Sequence, residues 1–267
     1  CFDPRNFGKT PFGLPKVGAF RAQFLLESLA DLRENLIARG GNLLIRSGTP
    51  ESVLPTLARE INAEAVYSHE EATDEELRVE EAVQEALAAI GIKTHSYWGA
   101  TLMHIDDVPF APEQTPDIFT QFRKTVEKAT TPRKTFPTPQ HITLPSDIDT
   151  SAFGELPTFT AFGVEMPVSM PDGRAVLPFK GGETQALSRL SAYFWERDCL
   201  KNYKETRNGL VGADYSSKFS AWLAMGCLSP RYVYEEVKRY EAERIQNDST
   251  YWLIFELLWR DFFRFTA

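Results

Sequence analysis

The chain is poor in the residues that form disulfides and metal sites: its 267 residues include only 3 cysteines and 4 histidines. Cys1, Cys199 and Cys227 are far apart and form no Cys-x-x-Cys pair. This pattern predicts reduced thiols in a reducing compartment and argues against a disulfide framework or a zinc site. No metal is predicted, because metal-ligand spacing is also absent among the histidines, which are His69, His95, His104 and His141.

Long apolar runs are missing as well. None approaches the roughly 20 residues that span a bilayer, so no membrane association is expected. The chain begins at Cys1 without a signal peptide and ends at Ala267 inside an aromatic helical pattern, from which we expect a fragment that has lost any targeting signal. The compartment, whether cytoplasm, nucleus or organelle, stays open. A hydrophobic share of 43% with 25% charged residues is typical of a soluble globular chain with a substantial core.

Charge and aromatic residues divide the chain into two chemically different regions. Residues 1–179 carry 16 basic and 25 acidic side chains, a net charge of −9, whereas residues 180–267 carry 13 and 12, a net charge of +1. Of the 33 aromatic residues, 17 lie in residues 181–267. The acidity of the first region argues against contacts with a phosphate backbone there.

The first region alternates between helical and strand-like patterns. Apolar spacing, Gly40 and Gly91 as helix ends, and Thr49-Pro50 as a helix start predict a regular succession of elements. Strands separated by helices indicate a parallel sheet with helices on both faces, and hence an α/β domain over residues 1–129. The predicted elements are helix 17–39, strand 42–46, helix 49–62, strand 65–68, a helix from Thr73 to Gly91, and strand 92–98.

A proline-rich stretch separates this region from a helical one. Eight prolines lie between Thr130 and Pro178, which favours an irregular connector over residues 130–180. Residues 181–267 then form the incomplete first part of an all-helical domain. Its predicted helices span 182–200, 218–227, 230–246 and 250–266.

Three serines gather where a glycine-bearing loop meets the helix predicted from Lys218. Ser216, Ser217 and Ser220 lie within five positions, and unpaired amides with hydroxyls at a helix start favour an anion such as phosphate. Plain N-capping explains one serine equally well, so capping and anion binding both remain open.

An aromatic helix closes the chain. Helical spacing places on one face Trp252, Phe255, Glu256, Trp259, Arg260 and Phe263. One interpretation is a buried helix with an intrahelical Glu256–Arg260 pair worth about 0.2–0.5 kcal/mol. The other is a pocket for a planar, phosphate-bearing ligand, which would use the aromatic faces and the arginine together.

With these motifs the sequence resembles the photolyase/cryptochrome family, and within it the DASH-type cryptochromes. The resemblance covers nearly the whole chain. The matching stretches are CFDPRNFG (1–8), GTPESVLP (48–55), YWGATLMHIDDVPF (97–110), YKETRNGLVGADYSSKFSAWLAMGCLSPR (203–231) and WLIFELLWRDFFRF (252–265). It implies a Rossmann-like N-terminal photolyase domain followed by the start of a helical FAD-binding domain.

The resemblance also assigns roles to individual residues. Glu256 would hydrogen-bond a damaged pyrimidine that is flipped out of the strand, and Trp259 would stack on it. The family's flavin-facing asparagine and relay tryptophans lie beyond the end of the chain, so no intact catalytic residue is expected in it. The residues expected to hold FAD are Tyr203, Ser216, Ser217, Lys218, Phe219, Ser220, Glu256 and Arg260.

The implied activity is light-driven repair by a deoxyribodipyrimidine photo-lyase, a carbon–carbon lyase. In the family, excited reduced FAD gives an electron to a cyclobutane pyrimidine dimer, the ring splits and the electron returns. For this chain the resemblance implies single-stranded DNA as partner, a monomer, and 5,10-methenyltetrahydrofolate as an antenna carried by the first region. Trp98 and Gly99 fall in the late strand–loop segment of that region, and no folate contact is assigned to them. Two alternatives stay open. One is a blue-light sensor with little repair activity. The other is a flavin-free α/β nucleotide-binding module, although no G-x-G-x-x-G or P-loop specifies a ligand.

Overall fold

A computed structural model describes residues 1–145, 148, 153–166 and 176–267. The described chain forms two compact units, one built from residues 1–68, 77–96 and 137–185, the other from residues 69–76, 97–136 and 186–267. The predicted domain boundaries after residues 129 and 180 stay a prediction. Parts of the predicted connector, residues 146–147, 149–152 and 167–175, lie outside the described residues.

The secondary structure is mainly helical. Its helices are α1 (Ala19–Ile37), α2 (Pro50–Glu60), α3 (Asp74–Ala88), α4 (Phe119–Ala129), α5 (Glu183–Ser191), α6 (Tyr203–Thr206), α7 (Ser220–Ala224), α8 (Pro230–Glu243) and α9 (Asp248–Phe265). Strands β1 (Ala65–His69) and β2 (Lys93–Tyr97) pair in a two-stranded parallel sheet. The α/β class is therefore confirmed, since α3 connects two parallel neighbours in the way such a crossover requires.

The first residues of the chain pack into the core of the first unit. Phe2, Val17, Ala22 and Phe162 form a buried cluster. The strand predicted over residues 42–46 is wrong, because this segment is not assigned as a strand and joins no ladder with the described part of the chain. It makes single backbone hydrogen bonds, such as Phe2 N–H to the Arg46 carbonyl at 2.7 Å.

The second unit is organised around α9. The Asn247 side chain accepts hydrogen bonds from the N–H groups of Ser249 and Thr250, and the Thr250 hydroxyl accepts one from the Asn247 N–H, forming a capping box. The buried residues of α9 include Leu253, Leu257, Leu258, Phe262 and Phe265. Helix α4 packs against this helix, with the rings of Phe119 and Phe122 against Phe262.

Helix lengths differ from the prediction in the second unit. The helix predicted over 182–200 is interrupted: α5 continues as a π-helical turn over Ala192–Glu196, and a separate 3₁₀ turn follows at Leu200–Asn202. The helix predicted over 218–227 shrinks to α7, of five residues. Within the described ranges, every helix is too short or too polar to cross a membrane.

Candidate functional site

A cavity of about 810 Å³ opens in the second unit, a volume in the range of small-molecule sites. Its walls come from the loop after β1, from α6, from the serine-rich loop with α7, and from α9. The structure brings together in this cavity all of the site residues predicted from the sequence, namely Tyr203, Ser216, Ser217, Lys218, Phe219, Ser220, Glu256, Trp259 and Arg260.

The serine-rich loop forms one wall through its backbone shape. Helix α7 has only five residues, so few peptide dipoles align at its N-terminus. The attraction for anions that was expected from a longer helix is therefore small. Lys218 instead has a φ of 58°, and Phe219 follows in the right-handed helical region with φ −75° and ψ −10°. Left-handed and right-handed residues in succession turn their N–H groups toward a common concavity that attracts anions.

Tyr203 stands at the start of α6 and is buried. Burial raises the pKa of its phenol to about 12, and the nearby Glu256 carboxylate adds to the effect. The hydroxyl therefore stays protonated at neutral pH and is available as a hydrogen-bond donor on this wall.

Glu256 pairs with an arginine outside its own helix. Of the two interpretations of this helix, the one with an intrahelical Glu256–Arg260 pair is wrong, because the Glu256 carboxylate lies 2.7 Å from the Arg207 guanidinium. Both side chains are about 30% exposed, at 30% and 28%, so the pair lies at the cavity wall within reach of solvent. Arg207 follows α6 and also lies 5.3 Å from the Trp252 ring centre.

Arg260 is held by carbonyl groups. Its guanidinium donates to the Ala100 carbonyl at 2.5 Å and to the Leu223 carbonyl at 3.2 Å. Burial lowers the pKa of Arg260, yet an arginine remains charged at any physiological pH. Since carbonyl dipoles satisfy its N–H groups without neutralising it, Arg260 contributes positive charge to the cavity.

Trp259 is fixed by a stacked neighbour. Its ring lies 3.6 Å from the Phe119 ring centre with an angle of 13° between the planes. Phe119 comes from α4, a helix that the sequence analysis did not identify. Its Phe119, Phe122 and Val126 recur at helical spacing and carried a usable signal.

Other cavity residues were also missed. Glu71 in the loop after β1 lines the cavity and pairs with Arg264 at 3.2 Å. Phe263, which helical spacing placed on the same face as Trp259, lines the cavity as well. The position of Glu71 just beyond a parallel strand was a usable signal, since the carboxyl ends of such strands commonly carry functional loops.

The late strand–loop segment of the first sequence region, with Trp98 and Gly99, lies outside this cavity. Trp98 is buried and donates from its indole nitrogen to the Thr101 hydroxyl at 2.6 Å, and a Cβ on Gly99 would come within 2.6 Å of the His69 ring. Neither residue lines the cavity described above. The described chain holds no cluster of three or more His, Cys, Asp or Glu side chains arranged to bind a metal.

The donors in the cavity fit a flat ligand that carries phosphate. Basic groups and hydroxyls lie beside apolar surface from Phe219, Leu223, Leu257, Trp259 and Phe263. Phosphate oxygens take hydrogen bonds from such cations and hydroxyls, while an aromatic ring system gains from the apolar and aromatic walls. The cations are Arg207, Lys218, Arg260 and Arg264, and the hydroxyls are those of Thr73, Tyr203, Ser216, Ser217 and Ser220.

Comparison with known proteins identifies the family of the chain. Residues 1–140 match the DNA photolyase family, and because this is more than half of the chain, the protein belongs to that family. The cryptochrome DASH of Gloeobacter violaceus is 56% identical over 267 residues, which are 100% of this chain and 52% of that protein. The resemblance to DASH-type cryptochromes is thus confirmed, and the chain spans about half the length of the curated relatives it matches.

Solved structures give the same result for the fold. A crystal structure of a cryptochrome from Synechocystis sp. superposes with a TM-score of 0.93 at 51% identity and covers 99% of this chain and 54% of that one. An archaeal photolyase from Sulfolobus tokodaii, solved with two FAD molecules, reaches a TM-score of 0.66 at 21% identity, over 99% of this chain and 51% of that one. At that identity, the second comparison concerns the fold alone.

Proposed function

We propose that the protein is a flavin-dependent blue-light photoreceptor and DNA photolyase of cryptochrome DASH type, with FAD held in the cavity of the second unit. One observation carries the proposal: hydroxyls, cations and aromatic side chains predicted separately from two distant motifs line a single cavity. The relatives at about 50% identity, which are named cryptochrome DASH, support the same assignment.

Each wall has a role in this proposal. The Ser216–Ser220 loop, with the Lys218 ammonium, binds the diphosphate, and the protonated Tyr203 hydroxyl orients it. Arg260 holds a fixed positive charge beside the flavin, because two carbonyl groups anchor its guanidinium. When bound, FAD supplies light absorption and electron transfer, while these side chains position it and exclude water.

Glu256 and Trp259 provide the proposed contacts to a pyrimidine dimer in single-stranded DNA. A flipped base needs a hydrogen-bonding partner and a stacking surface, which offset the few kcal/mol of unstacking. Phe119 holds the indole plane of Trp259, so that this surface is preformed. We also propose a 5,10-methenyltetrahydrofolate antenna in the α/β region, with no contact residues assigned, and a monomer.

The experiment is binding of single-stranded DNA with one thymine dimer to the full natural gene product, compared with undamaged DNA. Glu256→Gln keeps the shape but removes the charged acceptor, so we expect roughly 10-fold weaker binding of the damaged strand, the usual effect of losing a charged hydrogen bond. Undamaged DNA should bind equally well to both forms. The control is Glu243→Gln, an exposed position outside the cavity.

The ion pair between Glu256 and Arg207 favours a second candidate, a blue-light sensor with little repair activity. The carboxylate already has a charged partner at 2.7 Å, and a base would have to compete with it. A flavin-loaded wild type that binds damaged and undamaged strands equally would identify the sensor and would refute lesion recognition through Glu256.

A further inference from the structure

A buried arginine lies behind the serine-rich loop. Arg189 on α5 has a side chain that is 4% exposed. It donates to the carbonyls of Ser217 at 3.1 Å, Ala213 at 3.0 Å and Ser216 at 3.1 Å. Its remaining terminal nitrogen pairs with the Asp214 carboxylate at 2.7 Å. One guanidinium therefore binds three backbone carbonyls within residues 213–218. It also binds the carboxylate of Asp214, the only acidic side chain among these described residues.

These contacts determine which way the loop amides point. In a trans peptide the carbonyl and the following N–H lie on opposite sides, and the described chain has no cis peptide. Holding the carbonyls of Ser216 and Ser217 at Arg189 therefore turns the N–H groups of Ser217 and Lys218 away from it. Among the described residues, Ser216, Ser217 and Lys218 line the cavity, whereas Arg189 does not.

We propose that Arg189 is a positioning residue for the phosphate-binding wall: it sets the backbone of residues 213–218 so that amides and hydroxyls face the diphosphate. The inference rests on the proposed function, since it concerns the loop assigned to the cofactor. Lysine cannot replace arginine here, because a single ammonium lacks the planar fork that reaches three carbonyls and a carboxylate together.

The structure offers a matched control on the same carboxylate. Arg197 contacts the other oxygen of Asp214 at 2.6 Å, but its side chain is 52% exposed. Its described contacts do not include the loop carbonyls that bind Arg189. Arg197→Ala therefore removes a cation from Asp214 while leaving the backbone contacts in place.

The experiment compares wild type, Arg189→Lys and Arg197→Ala in the full natural gene product stripped of flavin. Each form is titrated with FAD and with riboflavin, which has the flavin ring but no phosphate. We expect Arg189→Lys to weaken FAD binding by about 10-fold or more and riboflavin binding by less than about 2-fold, the effect of misdirected phosphate donors. Arg197→Ala should change both by less than about 2-fold.

Amide hydrogen exchange provides a readout without ligand. Exchange of residues 214–218 should accelerate in Arg189→Lys and remain as in wild type in Arg197→Ala. If Arg189→Lys does not fold, Asp214→Asn, which weakens the ion pair holding the guanidinium, should give a smaller loss with the same preference for FAD.

Two results would count against the inference in different ways. Equal losses for FAD and riboflavin, or unchanged FAD binding, would overturn the role of Arg189 and leave the proposed function standing. A folded wild type that binds no FAD would overturn the proposed function and the cofactor role of Arg189 with it.

Discussion

Asp261 is a buried acidic residue of the second unit. It is completely buried on α9, and its carboxylate accepts hydrogen bonds from the N–H groups of Leu102 at 2.9 Å and Met103 at 2.8 Å. Burial raises its pKa from an ordinary 3.8 to about 7, although these two donors and the cations of Arg260 and Arg264 act in the opposite direction. Burial therefore outweighs the hydrogen bonds in setting its protonation.

This gives a pH dependence with a definite sign. Above about pH 4 the unfolded chain releases the Asp261 proton, whereas the folded chain keeps it up to about pH 7. The contribution of this group to the free energy of unfolding therefore falls as pH rises from about 4 to 7. The Asp261→Asn variant lacks this pH-dependent contribution. The free energy of unfolding of the variant minus that of wild type should therefore rise over this interval, by about 1.4 kcal/mol for each pH unit.

Urea unfolding at pH 5 and pH 8, followed by tryptophan fluorescence, measures the effect. Asp248→Asn is the control, because Asp248 lies on the same helix with a side chain that is 81% exposed. A difference between Asp261→Asn and wild type that does not change with pH would contradict the assignment.

The residues of the cavity were predictable from motifs, but their contacts were not. The i, i+4 spacing allowed a pair between Glu256 and Arg260 as one interpretation, yet Glu256 pairs with Arg207 and Arg260 binds carbonyl groups. Local spacing describes one helix in isolation. The choice of partner depends on which chain segments the tertiary fold brings near, and a pair worth a few tenths of a kcal/mol is easily replaced.

At the scale of elements, local signals predicted most helices and the strands at 65–68 and 92–98, which correspond to β1 and β2. Helix α1 was expected over residues 17–39 and spans Ala19–Ile37, because apolar periodicity and a terminal glycine are local signals. The segment 42–46 is apolar like a strand but forms no ladder with any described residue, since strand pairing depends on partners distant in sequence. Helix α7 was overestimated because Gly226 and the residues around it end the helix early.

The contact of Gly181 with α1 shows how closely two elements of the first unit approach. The Gly181 N–H donates to the Glu27 carboxylate at 2.7 Å. A Cβ at this position would lie 2.0 Å from the Phe24 carbonyl oxygen, which is backbone and cannot move aside. Gly181→Ala should therefore lower the free energy of unfolding by roughly 2 kcal/mol or more.

The midpoint temperature of thermal unfolding of the chain measures this loss of stability. Gly8→Ala is the control, since nothing lies within 4 Å of a Cβ built at Gly8. Unchanged stability of Gly181→Ala would mean that the loop before α5 does not pack against α1 in solution.

For the whole molecule, composition and order of elements were enough to predict the α/β class, and two C-terminal motifs were enough to predict the family. Composition did not predict which residues meet. The segments 69–76 and 97–136 lie in the acidic first region of the sequence, yet they pack in the same unit as the aromatic helices. The charge boundary near residue 180 therefore does not coincide with the boundary of packing, because hydrophobic contact, not net charge, decides which segments assemble.

The most direct test of the account is the visible absorption spectrum of the full natural gene product after purification, recorded beside the 267-residue chain. We expect the gene product to show a flavin band that bleaches under blue light with a reductant. We expect this band to be lost in a variant that combines Ser217→Ala with Arg260→Ala. A folded gene product without a flavin band, and unable to take up added FAD, would contradict it and would favour a flavin-free α/β nucleotide-binding module.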